Sequence, residues 1–187
     1  MLFKGLSKKG FRIMFNFLSS IQWRSLIREI VMIVLMIAAI QFLLPRSVVK
    51  GHSMEPNIED GQRIAASPVP YIFGSPQRGD IVMLHPVEDG GQNLVKRVIG
   101  LPNEFIQLED GQLFVDGELI AEDYLPSVCT NCRDGEWELG DNEYFIVGDN
   151  RSSSYDSRNY GAIQYESIMA KVLFRWYPLD ELAIFLD

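Results

Sequence analysis

The sequence predicts a mostly β fold, in a Greek-key or barrel-like arrangement, behind one N-terminal transmembrane helix. Residues 30–44 form an uncharged apolar run that, with its flanks, is long enough to span a bilayer. From Lys50 onward, apolar residues recur with a period of two, which is typical of strands. Turn-forming residues interrupt these runs at short intervals, as a series of antiparallel strands requires. A length of 187 residues suits one such domain with an appendage.

Charge is distributed unevenly along the chain. The whole sequence carries 17 Lys and Arg against 25 Asp and Glu, a net charge of −8. Residues 1–29 hold six basic residues and one acidic residue, a net charge of +5, which leaves −13 for residues 30–187. An acidic body makes nucleic acid an unsuitable partner, whereas a basic head favours contact with anionic lipid.

The apolar run predicts a membrane anchor over residues 26–44. A spanning helix needs about 20 apolar residues, and the residues before the run extend it to that length. Pro45 then ends the helix. Because the basic residues precede the run, the positive-inside rule places a basic lead-in, residues 1–25, in the cytoplasm and residues 45–187 outside the membrane.

Two alternatives to an anchor are less consistent with the residues around the run. A cleaved signal peptide would need a small-x-small site just after it, and the sequence PRSVVK of residues 45–50 has none. A buried core helix would not explain why Lys and Arg cluster before the run rather than after it. We therefore predict an uncleaved anchor and a single-pass protein of the cell membrane.

Seven segments of the body have the alternation and composition of strands. They are residues 80–84, 94–99, 105–108, 113–115, 118–120, 143–147 and 168–176. Asp110-Gly111 and Asp116-Gly117 lie between neighbouring segments, and Asp-Gly pairs favour the tight turns of β-hairpins. The body is therefore predicted to be a β domain in which neighbouring strands pair antiparallel.

The two cysteines, Cys129 and Cys132, occur as Cys-Thr-Asn-Cys. A zinc site would need two more ligands, and the two histidines, His52 and His85, are far away in sequence. A thioredoxin-like role would place the pair at the start of a helix in a βαβ unit, which the sequence does not show. We therefore predict a small loop disulfide, and neither a metal nor another cofactor.

Lys96 is the most informative position for chemistry. On the strand 94–99 it shares one face with Val98 while Arg97 lies on the other, so one of the two cations must lie on the buried face. A desolvated lysine gives up its proton far more readily than arginine does. A pKa lowered to about 8 would leave about 25% of the amine neutral at pH 7.5. Taken alone, however, a strand lysine that reaches solvent is the simpler interpretation.

Ser53 lies in the irregular segment 50–57, KGHSMEPN. A hydroxyl and backbone N–H groups in such a segment can face a substrate, although an ordinary turn serine is the simpler interpretation of this residue alone. His52 is a poor base for Ser53, because neighbouring residues of an extended chain point to opposite faces. His85 precedes a proline and no pattern signals an acidic partner for it, so a histidine-based triad is disfavoured.

The segment 148–158, GDNRSSSYDSR, follows a predicted strand and concentrates short hydrogen-bonding side chains. A calcium loop would need acidic residues at alternating positions, and Arg151 and Arg158 interrupt that pattern. A rigid loop that supports a neighbouring site fits the composition better.

These segments together resemble the type I signal peptidases of bacteria, a serine–lysine dyad family, and in particular the single-span type of Gram-positive bacteria. The resemblance covers the anchor and essentially all of residues 30–177. Its motifs are Gly51-x-Ser53-Met54-x-Pro56, Arg78-Gly79-Asp80-Ile81-Val82, Lys96-Arg97-Val98-Ile99-Gly100-Leu101-Pro102, and Gly148-Asp149-Asn150-Arg151 with Ser154, Asp156-Ser157-Arg158 and Gly161.

The resemblance implies a membrane-anchored serine endopeptidase that removes signal peptides from secretory preproteins, with residues 45–187 as the catalytic domain. Ser53 would be the nucleophile, its backbone N–H would hold the oxyanion, and neutral Lys96 would be the general base. Cleavage behind a small-x-small sequence would require shallow apolar pockets that exclude larger side chains. We expect the protein to be a monomer.

The resemblance also assigns supporting roles. Ser154 would hydrogen-bond the lysine, and Asp149 would belong to the same supporting network. Asp156 and Arg158 would form a structural ion pair beneath the site.

Two positions depart from the family pattern. Gly51 stands where many relatives from double-membrane bacteria have a serine whose hydroxyl helps to hold the oxyanion, so more of that role falls on Ser53. Asn103-Glu104 stands where the family usually has Gly-Asp. Because asparagine tolerates positive φ better than most residues, we expect this turn to survive.

Two other functions share some of these features. A self-cleaving repressor also uses a serine–lysine dyad, but it carries a DNA-binding head where this chain has an apolar run. A catalytically inactive, membrane-tethered scaffold for secretion is disfavoured because both dyad residues are present.

Overall fold

The computed structural model describes residues 23–86, 91–127, 129 and 132–185, except for the side chain of Phe42. The chain divides into two units, with the boundary between Phe42 and Leu43. Most of the predicted lead-in, residues 1–22, lies outside the described residues.

Helix α1, Trp23–Leu43, has 21 residues, and all but the last of them belong to the first unit. It covers almost all of the predicted segment 26–44, so the prediction of a helix there is confirmed. Across the described part of the chain, no helix combines the length and the apolarity needed to cross a membrane. The assignment of this segment as an anchor stays a prediction.

The second unit is a β domain in which every strand pair is antiparallel. Its strands are β1 Arg46–Val48, β2 Arg63–Ser67, β3 Ile81–Leu84, β4 Leu94–Gly100, β5 Phe105–Glu109, β6 Gln112–Val115, β7 Glu118–Leu119, β8 Gly135–Glu138, β9 Glu143–Val147, β10 Ile163–Gln164, β11 Ile168–Tyr177 and β12 Ala183–Ile184. Two short helices, α2 Val69–Phe73 and α3 Ser157–Tyr160, and two 3₁₀ turns, Tyr165–Ser167 and Leu179–Glu181, complete it.

Two sheets build this domain. The larger has the order β1-β2-β11-β3-β4-β9-β10, with β12 also paired to β11, and the smaller has the order β7-β6-β5-β8. The mostly β prediction is confirmed, and among the described residues the larger sheet is open, with β1 and β10 at the ends of its strand order, rather than a closed barrel.

The two predicted Asp-Gly turns join the strands of the smaller sheet. Asp110 and Gly111 have φ angles of 49° and 77°, and Asp116 and Gly117 have φ angles of 51° and 82°. Two successive positive φ angles are the geometry of the hairpin turns that Asp-Gly favours. Local sequence therefore determines both hairpins, β5–β6 and β6–β7.

Strand β4 lies at the centre of the larger sheet, between β3 and β9. Two clusters of buried apolar residues lie beside it, one with Ile81 and Met83 and the other with Val82 and Val98. Because Ile81 and Val82 are neighbours on one strand, these clusters lie on opposite faces of the sheet. Side chains on both faces of β4 are therefore removed from solvent.

Candidate active site

The amine of Lys96 and the hydroxyl of Ser53 meet at the edge of this core. Lys96 Nζ donates a hydrogen bond to Ser53 Oγ at 2.7 Å, although 43 residues separate them in sequence. Lys96 projects from the middle of β4 and is only 3% exposed, whereas Ser53 is half-buried in the turn between β1 and β2. The two predicted dyad residues therefore lie in direct contact.

Burial lowers the pKa of Lys96 from its ordinary value to about 8. The charge of Asp156 raises this pKa, that of Arg158 lowers it, and that of Asp149 raises it. Because Arg158 opposes Asp156, the loss of solvation decides the direction of the shift. At neutral to mildly alkaline pH, a substantial fraction of the amine is therefore able to accept a proton.

Arg97, the next residue on β4, is buried as well. Its Nε and Nη2 donate to the two oxygens of Asp149 at 2.9 and 2.7 Å. Its guanidinium lies 3.9 Å from the centre of the Tyr124 ring, and Asn57 Nδ2 donates to Asp149 Oδ2 at 2.8 Å. The alternation on β4 required one buried cation, and the structure buries both because apolar clusters cover both faces.

The predicted ion pair of Asp156 and Arg158 is present. Arg158 Nε and Nη2 donate to the two carboxylate oxygens, each at 2.8 Å, and Gly148 N–H donates to Oδ2 at 2.9 Å. Asp156 also caps α3, because its side chain accepts from the Arg158 N–H. Burial alone would raise the pKa of Asp156, but Arg158 and the other donors lower it below its ordinary value.

Ser154 does not make the predicted hydrogen bond to the lysine. Its Oγ is buried and has no hydrogen bond of good geometry within the described residues, while Lys96 donates to Ser53 instead. The Ser154 side chain packs against Gly148 and lies close enough to Asp156 to help lower its pKa. The predicted hydrogen bond from Ser154 to Lys96 is therefore not made, and the supporting role of Ser154 stays a prediction.

Gly148 allows the loop after β9 to approach the nucleophile. A Cβ at this position would overlap both Ser154 Oγ and the carbonyl oxygen of Ser53. The Asn150 N–H then donates to that same Ser53 carbonyl at 3.0 Å. The segment 148–158 is thus a rigid support for the Ser53 turn.

The backbone around Ser53 leaves one donor open. Gly51 has a φ of +92°, and its N–H donates to Asp60 Oδ1 at 2.7 Å. Within the described residues, the Ser53 N–H has no hydrogen-bond acceptor. A tetrahedral oxyanion formed on Oγ could therefore take this N–H as its donor.

His52 does not face Ser53. Its Nδ1 lies 2.6 Å from Glu55 Oε1, and the hydrogen bond to Glu55 raises the pKa of this exposed imidazole. The side chain that contacts the Ser53 hydroxyl in this structure is that of Lys96.

A second ion pair beside the site was not predicted from sequence. Arg151 forms a bidentate pair with Glu122, and its Nε donates to the Gly148 carbonyl at 3.1 Å. The Tyr124 hydroxyl donates to Glu122 at 2.5 Å. Residues 120–127 carry no periodic pattern, and nothing in the sequence distinguishes Glu122 from the neighbouring Asp123.

The turn that departs from the family pattern is intact. Asn103 adopts a φ of 68°, as expected of an asparagine in that place. The Glu104 side chain accepts from the Leu101 N–H at 2.7 Å and pairs with Arg78 at 2.6 Å.

Cys129 and Cys132 form the disulfide that the sequence predicted. Cys132 Sγ lies 2.9 Å from Arg158 Nη1. Among the residues that the structure describes, no group of three or more His, Cys, Asp and Glu side chains is arranged to hold a metal ion.

A cavity of about 60 Å³ opens beside Ser53, between the segment containing β1 and the start of β4. Its apolar lining consists of Val48, Val49, Met54, Met83, Leu94 and Val95. A space of this size next to the nucleophile admits a small side chain and excludes a large one.

Comparison with known proteins gives consistent matches. The family model described as "Signal peptidase, peptidase S26" matches residues 22–177. "Probable signal peptidase I-1" of Synechocystis sp. is 34% identical over an alignment of 165 positions, and the match covers 77% of this chain and 80% of that protein. "Signal peptidase IB" of Staphylococcus aureus (strain COL) is 31% identical over an alignment of 159 positions, and the match covers 75% of this chain and 82% of that protein.

A third relative and a solved structure complete these similarities. "Signal peptidase I" of Leptolyngbya laminosa is 30% identical over an alignment of 160 positions, and the match covers 80% of this chain and 77% of that protein. The crystal structure of a signal peptidase I from Enterococcus faecalis V583 is 32% identical and has a TM-score of 0.46. The match covers 52% of this chain and 97% of that one.

Proposed function

Because this chain belongs to the signal peptidase family, peptidase S26, it is a serine endopeptidase that removes signal peptides, and we propose that Ser53 is its nucleophile and Lys96 its general base. The observation that carries this proposal is the 2.7 Å hydrogen bond between Lys96 Nζ and Ser53 Oγ, made by an amine that is 3% exposed. A buried amine with a pKa of about 8 can take a proton from a hydroxyl that it contacts.

The reaction then proceeds by acyl transfer. Neutral Lys96 accepts the Ser53 proton as Oγ bonds to the scissile carbonyl carbon, and the Ser53 N–H stabilises the oxyanion. The lysine ammonium returns the proton to the leaving amine, so that the peptide bond breaks and an ester to Ser53 remains. Lys96, neutral again, activates the water that hydrolyses this ester.

The two buried carboxylates act as positioning groups. Asp156 holds Arg158 and the Gly148 N–H, and Gly148 supports the Ser53 carbonyl. Asp149 holds Arg97, which shares β4 with the base. The Asp156–Arg158 and Asp149–Arg97 ion pairs fix the backbone on either side of the dyad. They also balance the charge near the Lys96 amine.

The cavity beside Ser53 supports a substrate with a small residue before the cut. A preprotein with alanine at this position should be cleaved by the full-length protein, and mass spectrometry of the product should locate the cut behind a small-x-small sequence. The same preprotein with phenylalanine there should react at least about 100-fold more slowly, because the cavity has no room for an aromatic ring. Equal rates for both substrates would contradict the assignment of this cavity to the residue before the cut.

The membrane anchor is part of the same proposal. By the positive-inside rule, the basic residues near the N-terminus place it inside the cell membrane. The acidic body, which is the catalytic domain, then lies outside. Consecutive apolar side chains from Ile30 to Ile37 are each about half exposed, so every face of α1 is apolar and suited to lipid. Ser53 follows Leu44 by nine residues, which keeps it within about 30 Å of the helix end.

A turn of the β domain provides a second lipid contact. Ile72 and Phe73 at the end of α2 are 67% and 88% exposed, and residues 64–77 contain no charged residue. The Tyr71 hydroxyl donates to Asp80 at 2.8 Å, so the turn is held while its apolar end faces outward. Because the Ala66 N–H donates to the Pro45 carbonyl at 3.1 Å, the strand that leads to this turn lies beside the start of the domain.

Arginine at both Val34 and Leu35 should release the protein from cell membranes at alkaline carbonate extraction. Each arginine at the centre of a spanning helix costs about 2.5–3.5 kcal/mol of insertion free energy. Gln164→Arg, at an exposed position on β10, is the matched control and should remain in the membrane pellet. Membrane retention of the doubly substituted protein equal to that of the control would contradict an anchor in α1.

A further inference from the structure

The disulfide lies against the guanidinium of Arg158. Nε and Nη2 of this arginine donate to Asp156, while Nη1 lies 2.9 Å from Cys132 Sγ. A sulfur is a weak hydrogen-bond acceptor, so the contact confines the guanidinium by packing rather than by a strong bond. Only about a tenth of the arginine side chain is exposed, and the disulfide is one of the groups that cover it.

The other half of the disulfide is seated on the smaller sheet. Gly111, in the turn between β5 and β6, has a φ of 77°, and a side chain there would overlap the Cys129 carbonyl. The Asp134 side chain also ties this loop to the turn by accepting from the Asp110 N–H at 3.1 Å. The disulfide therefore spans from a rigid hairpin to Arg158.

Contacts continue from Arg158 to the nucleophile. Asp156 accepts from the Gly148 N–H at 2.9 Å, and Gly148 packs directly on the Ser53 carbonyl. A displacement of Arg158 would thus change the net charge near the Lys96 amine, because Asp156 would lose its partner. It would also disturb the contact between Gly148 and the Ser53 carbonyl.

We propose that the Cys129–Cys132 disulfide is a positioning element for this reaction, which holds Arg158 on Asp156 and thereby maintains the balance of charge beside Lys96. The inference rests on the proposed function, because it takes Lys96 as the base. The cysteines are positioning residues and contact neither the substrate nor the reacting atoms.

The charged groups that face Lys96 set the expected effect. They are Asp149 at the end of β9, and Asp156 and Arg158 at the start of α3; Tyr160 faces Asp156 in turn. Burial lowers the pKa of Lys96, Asp156 raises it and Arg158 lowers it. If Arg158 leaves Asp156, the carboxylate acts on the amine without compensation and the pKa of Lys96 rises.

Chemical reduction gives a direct means of releasing Arg158. A dithiol such as dithiothreitol transfers two electrons and two protons to the disulfide, which becomes two thiols while the reagent becomes a cyclic disulfide. Because the chain has two cysteines and both are in this bond, the reagent acts at this one place. Cys132 is then free to move away from Arg158.

The test measures the initial rate of preprotein cleavage by the full-length protein against pH, before and after reduction. We expect the acid limb of the profile, near pH 8 in the oxidised protein, to move up by about one pH unit. The rate at pH 7.5 should then fall roughly eightfold, while the rate at the alkaline plateau stays nearly constant. Reoxidation should restore the original profile.

Two variants control the experiment. The double variant Cys129→Ser with Cys132→Ser should show the shifted limb without reductant and should not respond to it. Asp116→Ala removes the acceptor of the Phe105 N–H in the smaller sheet and, among the described residues, alters no contact of the disulfide or of Arg158, so it should lower the melting temperature and keep the limb in place. Melting curves recorded alongside show that each protein is folded.

The outcomes separate this inference from the proposed function. An identical acid limb in oxidised and reduced protein, or a rate that falls by one factor at every pH, would show a purely structural disulfide and overturn the inference. Cleavage that persists in Lys96→Met would instead overturn the dyad. The reduced protein and the double variant test the inference by independent routes.

Discussion

Replacement of Lys96 by methionine is expected to abolish cleavage and, at the same time, to raise the thermal stability of the protein. Loss of the general base should reduce the cleavage rate at least about 10³-fold, because the Ser53 hydroxyl keeps no other base. Among the described residues, the nearest histidine in sequence, His52, pairs with Glu55 instead. The measurement is the rate of preprotein cleavage by the full-length protein.

The gain in stability follows from the lowered pKa. Lys96 has a pKa of about 8 in the folded protein against 10.5 ordinarily, so the unfolded chain binds more protons between these two values. Stability therefore rises with pH across this window, and the full penalty, about 3 kcal/mol, applies below pH 8. Methionine fills similar space without a charge, so it removes that penalty at neutral pH.

The melting temperature of Lys96→Met should accordingly rise by roughly 5–10 °C at pH 7, and this advantage should shrink as pH rises towards 10.5. Lys50→Met, at an exposed lysine of the same chain, is the matched control and should not stabilise the protein. A variant that loses activity by unfolding would melt earlier than the wild type. Such a result would mean that Lys96 stabilises the folded protein rather than destabilising it.

Most of the strands could be predicted because their alternation is local. All seven predicted segments are strands in the structure, with ends that differ by no more than two residues. Their side chains either alternate between core and solvent, as in β6, or form short apolar runs bounded by turn residues. Both patterns depend only on neighbouring residues, so the sequence displays them directly.

The missed strands depend on pairing with distant partners. β2, RIAAS, is rich in alanine, which has no strand preference, yet it is buried because it lies between β1 and β11. β8, GEWE, alternates glutamate with a residue that packs on the smaller sheet, and its pairing with β5 makes it a strand. In both, tertiary contacts override weak local preference.

The site residues were predicted through motifs, but most of the contacts around them were not. The sequence identified Ser53 and Lys96, and the 2.7 Å between them depends on how β4 and the β1–β2 turn pack. The stacking of Arg97 on Tyr124 joins segments that share no pattern. Ser154 shows the limit most clearly, because its hydroxyl lies in the predicted segment and is buried, yet makes no hydrogen bond to the Lys96 amine.

Replacement of Asp149 by alanine is expected to cause the largest loss of stability at the site. The side chain of Asp149 is fully buried and that of Arg97 is 10% exposed, so the variant leaves a guanidinium without its carboxylate inside the domain. Removing one partner of a buried ion pair costs about 3–5 kcal/mol. Asn57 loses an acceptor in the same step, which adds to the cost.

Urea unfolding of the full-length protein should therefore show a free energy of unfolding about 3–5 kcal/mol lower for Asp149→Ala. Glu55→Ala is the control, because it removes an ion pair with His52 that is exposed to solvent and should change the free energy by less than about 1 kcal/mol.

The double variant Arg97→Met with Asp149→Ala distinguishes two sources of this loss. If the unpaired guanidinium is responsible, its removal should recover most of the stability, since apolar residues can replace a buried pair at little cost. Cleavage should recover far less, because the methionine restores no support for Asn57 beside the Ser53 turn. If Asp149→Ala lowers the free energy of unfolding no more than Glu55→Ala does, water must reach Arg97. The cations of β4 would then not be shielded from solvent.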